Sequence, residues 1–200
     1  KSRPTKPGKP VQGKIPSTQE MQVLVDFFNM GRYAEVLTLA QAMTVDFPQH
    51  AFGWRVLGTV LKQMGRGEDA LAPMQKALAL SPHDAVALSN LGITLQDLGR
   101  RDEAEASFRR ALKVRPDYAL AHNNLGAILN ALGRQEEAEA SFRHALQITP
   151  DHAGAHNNLG VVCKDTGRLN EAAASFRRAL QIMPDYAEAH SNLGVTLKDM

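Results

Sequence analysis

A 34-residue period limits what this chain can fold into more than any other feature. The stretch AHNNLGAILNALGRQEEAEASFRHALQITP, from Ala121 to Pro150, returns 34 positions later as AHNNLGVVCKDTGRLNEAAASFRRALQIMP. It is present 34 positions earlier as ALSNLGITLQDLGRRDEAEASFRRALKVRP. One such unit buries too little apolar surface to offset the entropy of ordering it, so the copies must stack and share a continuous core. Prolines fall at 48, 82, 116, 150 and 184, each after a helical pattern that a proline cannot continue. Glycines fall at 31, 65, 99, 133 and 167, where a tight turn between two antiparallel helices needs a permissive backbone. The spacing therefore predicts helix A, short turn, helix B in every unit.

A period of 34 with small, aromatic and proline residues at fixed offsets resembles the tetratricopeptide repeat. The fold expected is all-α: a right-handed superhelix, or α-solenoid, of five helix-turn-helix repeats plus one additional helix. Residues 17–50 form a divergent first repeat, which keeps the turn glycine and final proline but lacks the Leu-Gly pair of the others. Regular repeats are expected over 51–84, 85–118, 119–152 and 153–186. Residues 187–200 supply helix A of a further unit, whose Leu193 and Leu197 lack a helix B to cover them. That end is expected to be a cut through a longer array or protein, with a terminal capping helix as the alternative. The same uncovered helix offers a surface for self-association.

Residues 1–16, KSRPTKPGKPVQGKIP, combine four prolines and two glycines with five cations and no acid, a composition expected of a flexible leader. Native linker, remnant of cloning, and contact with an acidic partner or membrane surface are all open for it. The whole chain carries +2, so the part after the leader is mildly acidic at −3. A nucleic-acid-binding face has little support on that charge. A single cysteine, Cys163, rules out an internal disulfide framework and fits a reducing, cytoplasmic setting. No apolar run approaches the roughly 18 residues of a membrane span, so no membrane span is expected.

Within the repeats, Ser17 and Glu20 form a capping box ahead of the first helix. In the central helix A, Ala121, Leu125, Ile128 and Leu132 make one buried stripe. Gly126 recurs as Gly58, Gly92, Gly160 and Gly194, and its missing side chain allows a neighbouring helix to come close. In helix B the triplet Ala138, Phe142 and Ala145 recurs as Ala104, Phe108, Ala111 and as Ala172, Phe176, Ala179, with small residues flanking one ring. Glu105 with Arg109 and Glu139 with Arg143 are i, i+4 pairs on the outer face, worth a few tenths of a kcal/mol each. Pro73 stands where later repeats have serine, and a kink or local distortion is expected there.

The most informative recurrence for function is Asn90, Asn124, Asn158 and Asn192, one asparagine at the same place in four successive A helices. It lies about 100° around the helix from the buried stripe, so stacking aligns the amides into a ladder at the border of the A-helix face. An amide both donates and accepts, which suits gripping a peptide backbone. The alternative is that these asparagines order the packing of the A helices. Asn123, Asn157 and Asn130 add amides on the same side and complete the candidate peptide-binding set. His122, His156 and His190 form a second column, but histidines a repeat apart cannot converge on one ion, so no metal site is expected. Their rings should fill the place held by Trp54 and Leu88. Cys163 sits at a position otherwise held by leucine and is expected to be a buried small hydrophobe. No phosphate loop, serine elbow or paired carboxylates are present, so no catalytic residue and no cofactor is expected.

The runs AHNNLGAIL, AHNNLGVVC and AHSNLGVTL, each with a following glycine turn or the start of one, resemble the repeat region of O-linked N-acetylglucosamine transferases and their bacterial SPINDLY-like relatives. That resemblance implies a superhelix ahead of a glycosyltransferase domain, with inner-surface asparagines holding a substrate polypeptide. It transfers this role to Asn90, Asn124, Asn158 and Asn192, while Val56 interrupts the row in the second unit. The clamp for charged tails resembled by chaperone-binding repeats is missing, since Ser89, Asn123 and Asn157, with Leu120 and Gly154 nearby, replace its cations. The expected function is binding of an extended polypeptide on a concave face, as the recruiting arm of a glycosyltransferase. A stand-alone assembly scaffold and the arm of a sulfotransferase or methyltransferase are the alternatives.

Overall fold

The computed structural model describes residues 15–200. Most of the basic leader expected over 1–16 lies outside the described residues. Those residues form helices and turns only, in two compact units that divide after Pro82. The first holds α1 (Thr18–Asn29), α2 (Tyr33–Asp46), α3 (Ala51–Gln63) and α4 (Gly67–Leu80). The second holds α5 (Ala85–Asp97), α6 (Arg101–Val114), α7 (Ala119–Ala131), α8 (Gln135–Ile148), α9 (Ala153–Asp165), α10 (Leu169–Ile182) and α11 (Ala187–Asp199). Within each unit consecutive helices pack on one another, and in the second unit α5, α7, α9 and α11 also touch in sequence.

The turn inside each hairpin follows from one glycine. Gly133 has φ 77°, and its four counterparts have φ between 72° and 77°, a region that side chains disfavour. This lets the Arg134 N–H reach back to the Leu129 carbonyl at 2.9 Å, and the Gly133 N–H to the Asn130 carbonyl at 2.9 Å. Two carbonyls at the end of α7 are thereby satisfied, and the chain reverses in three residues. The same pair of bonds closes α1, α3, α5 and α9. At the start of α1 the capping box is present, with the Glu20 N–H donating to Ser17 Oγ at 3.2 Å and the Ser17 N–H to Glu20 Oε2 at 2.7 Å.

Packing inside a hairpin depends on the second recurring glycine. A Cβ on Gly126 would stand 2.7–2.9 Å from ring atoms of Phe142, and Gly92 and Gly160 meet Phe108 and Phe176 in the same way. The three rings are almost completely buried. In the first unit Met74 occupies the ring's place against Gly58. Gly194 in α11 has no such neighbour within 4 Å. Of the expected stripe in α7, Ala121, Leu125 and Ile128 are buried and Leu132 is half-buried. Helix α4 runs unbroken through the buried Pro73. The proline removes one backbone donor, yet the turns on either side hold the helix, so the distortion expected there does not interrupt it.

Candidate functional site

Asn90, Asn124, Asn158 and Asn192 each occupy the sixth position of their helix, in α5, α7, α9 and α11, and each is half-buried. Asn158 Nδ2 donates to Asn123 Oδ1 at 3.1 Å, and Asn192 Nδ2 donates to Asn157 Oδ1 at 3.1 Å. The amide nitrogen of Asn157 is in turn fixed on Glu188 Oε1 at 3.1 Å. A carboxylate only accepts, so Glu188 sets the orientation of Asn157 and obliges its oxygen to face Asn192. Each ladder amide so held spends one N–H on the neighbouring helix. Among the described residues the side-chain oxygens of Asn158 and Asn192 accept no hydrogen bond.

Asn123 and Asn157 differ from expectation. Asn157 is fully buried and Asn123 nearly so. They tie one A helix to the next instead of adding free amides to the surface, because the position before the ladder faces the following helix. Ser89 stands at the corresponding place in α5; it is fully buried and its Oγ has no partner. Asn130 lies half-buried near the end of α7. In the first unit Val56 takes the ladder position in α3.

The histidine column has a structural task. The Nε2 atoms of His122, His156 and His190 lie 2.9, 2.9 and 2.7 Å from the carbonyls of Pro116, Pro150 and Pro184. Since a carbonyl only accepts, each Nε2 carries the proton. Trp54 Nε1 makes the same bond to the Pro48 carbonyl at 3.0 Å. An aromatic N–H six residues after the proline thus latches the turn that enters helix A. Burial pulls the His156 imidazole below its usual pKa, against the opposing effect of that bond. Cys163 is buried, which pushes its thiol up and leaves it inert.

The sequence reading missed a row of arginines that follows the turn glycines. Arg134 reaches forward to Glu137, with Nε to Oε1 at 2.7 Å, and back to Glu105 of the previous repeat, with Nη1 to Oε1 at 2.8 Å. Arg168 does the same with Glu171 and Glu139. The Gly-Arg pair repeats every 34 residues and was the available signal. Its partner 29 residues back becomes visible only once the repeats are stacked. Burial would raise the Glu105 carboxyl, but the guanidiniums of Arg134 and Arg109 outweigh it and hold the group below its ordinary value.

The family model of the tetratricopeptide repeat matches residues 49–117, 83–151 and 117–185. The chain belongs to the tetratricopeptide repeat family. Repeats of this family mediate protein–protein interaction. No protein of curated function matches the sequence. Among solved structures, the chain is similar to MamA, at 21% identity and a TM-score of 0.73 over 86% of this chain and 93% of that one. YrrB, described as a tetratricopeptide protein with an unusual peptide-binding site, gives 19% identity and a TM-score of 0.73 over 92% and 93%. TTC0263 of Thermus thermophilus gives 24% identity and 0.68 over 90% and 98%. At these identities the likeness is one of fold, and it agrees with the all-α repeat architecture expected from the period. No helix among the described residues is long and apolar enough to cross a membrane.

Proposed function

We propose that the chain binds an extended polypeptide along the A-helix face of its His83–Met200 unit, with Asn90, Asn124, Asn158 and Asn192 contacting the peptide backbone. The observation that carries this reading is the fixed orientation of Asn158 and Asn192, each held by a hydrogen bond it donates to the preceding A helix. Amides held by a neighbouring helix present their oxygens, and their second N–H groups, without further cost in side-chain entropy. YrrB, similar in fold, has a peptide-binding site by its description, which favours the same use of the face here. The resemblance of AHNNLGAIL and AHNNLGVVC to the repeats of O-linked N-acetylglucosamine transferases supports a finer reading, a recruiting arm for a glycosyltransferase. An assembly scaffold is the second reading, favoured by the likeness in fold to TTC0263, described as a tetratricopeptide protein and covered over 98% of its chain.

Asn124→Ala and Asn158→Ala separate recognition from packing. Asn124 Oδ1 accepts only a long 3.4 Å bond from Asn123 Nδ2, so its replacement should weaken partner binding about tenfold while costing no more than about 0.5 kcal/mol of stability. Asn158 is bonded to Asn123, so its replacement should weaken binding and also cost about 1 kcal/mol of stability. Unchanged affinity in both variants, measured by calorimetry against the captured partner, would return the ladder to a purely structural role. For the finer reading the decisive datum is the reading frame beyond Met200. A nucleotide-sugar-binding α/β domain supports the arm, and a polar capping helix followed by a stop supports the scaffold.

A further inference from the structure

The A-helix face carries more than amides. Residues four before, three after and seven after each ladder asparagine share its side of the helix. In α5 this stripe reads Val86, Asn90, Ile93, Asp97; in α7 it reads Leu120, Asn124, Ala127, Ala131; in α9, Gly154, Asn158, Val161, Asp165; in α11, Glu188, Asn192, Val195, Asp199. Leu120 is 40% exposed and Val86 37%, so both present aliphatic surface to solvent. Ile93, Ala127 and Val161 are half-buried on the other side of the amides. An aliphatic border therefore runs on both sides of the ladder across α5 and α7. The stripe holds no lysine or arginine in any of the four helices. Its charged members are Asp97, Asp165 and Asp199 at one edge and Glu188 in α11, with Lys164 and Lys198 one residue off the stripe.

We propose that this face selects an uncharged extended segment bearing aliphatic side chains, which rest on Val86 and Leu120 on one side of the backbone and on Ile93, Ala127 and Val161 on the other. The proposal rests on the peptide-binding reading and adds the class of partner. Alternate side chains of an extended chain point to opposite sides, so a segment whose backbone lies on the amides sends one set of side chains to each border. Burying aliphatic groups there is favourable. An aspartate or glutamate in the segment would leave water to face apolar side chains and further carboxylates, with no cation on the stripe to pair with. Buried and unpaired, such a charge is costly. A lysine would lose hydration over the aliphatic borders and could meet an acid only at Glu188 in α11 or at the aspartate edge.

The test uses end-capped ten-residue probes immobilised on a sensor surface. One is built from Val, Ala, Ser, Thr and Gln, and two others carry Asp or Lys at alternate positions. The uncharged probe should bind at least about tenfold more tightly than either charged one. Leu120→Asp and Val86→Asp, both at exposed sites, should abolish that preference with the helical circular dichroism unchanged, and Leu120→Met should retain it. If the Asp or Lys probe binds as tightly as the uncharged one, while Asn124→Ala still weakens all three, the aliphatic selection is wrong and the peptide groove stands. If none of the probes binds, the selection and the groove both fall.

Discussion

The two glycines of each repeat are under different physical demands, and substitution separates them from each other and from ordinary helix propensity. Gly126 sits mid-helix, where glycine costs about 1 kcal/mol relative to alanine, so the gap for the Phe142 ring must be worth more than that. Adding a methyl group 2.7 Å from Phe142 Cε1 forces the ring off its rotamer or the helices apart. Gly126→Ala should destabilise by about 1–3 kcal/mol, the usual range for overpacking, even though it improves propensity. Gly194→Ala in α11 meets nothing within 4 Å and should be neutral or stabilising by up to about 1 kcal/mol. Urea denaturation of the two variants checks the pair, and equal effects would show that the ring contact does not govern the position.

Between elements, Arg134 and Arg168, each placed after a turn glycine, convert a weak surface pair into a bridge to the previous repeat. The Glu139 carboxylate, mostly shielded from solvent, receives Arg168 from the next repeat and Arg143 from its own helix. Hydrogen bonding from Arg168 is the main reason its carboxyl lies below the ordinary range, with burial acting the other way and Arg143 assisting. A carboxyl lowered in the folded state adds stability above its unfolded pKa, near 4.3, and that contribution disappears as pH falls through the lowered folded value. Glu139→Gln should therefore cost about 0.5–1 kcal/mol at pH 7, discounted for the partly exposed arginines. The gap to the unmodified protein should narrow steadily below about pH 4. A pH-independent gap in thermal melts would assign the cost to packing. Salt should shrink it as well, since both arginines touch solvent.

At the level of the molecule, what the sequence made legible and what it hid have one cause. A strict period fixes register, so the helix-turn-helix order, the turn glycines, the Gly126 gap and the burial of Cys163 could all be read from one repeat. It does not say which neighbour a given side chain meets. Asn123 and Asn157 looked like further surface amides because a helical wheel has no second helix on it. The Arg134–Glu105 bridge was hidden for the same reason, and so was the use of His122 as a latch on Pro116. The period also implies how stability is distributed, since each repeat is held by its neighbours. Helix α1 buries only Leu24, and α11 only Ala189 and Thr196, whereas α7 buries six residues including Leu125, Ile128 and Leu129. Amide hydrogen exchange should therefore be graded within each unit. In the first, α1 should open before α3, and in the second, α11 should open well before α7. The difference in protection should be at least tenfold, about 1.4 kcal/mol in opening free energy. Filling the A-helix face with a bound segment should slow exchange in α5, α7 and α9 together and leave α1 as it was. Uniform protection along the chain would mean that the unit opens all at once, and the neighbour-by-neighbour account of its stability would have to be given up.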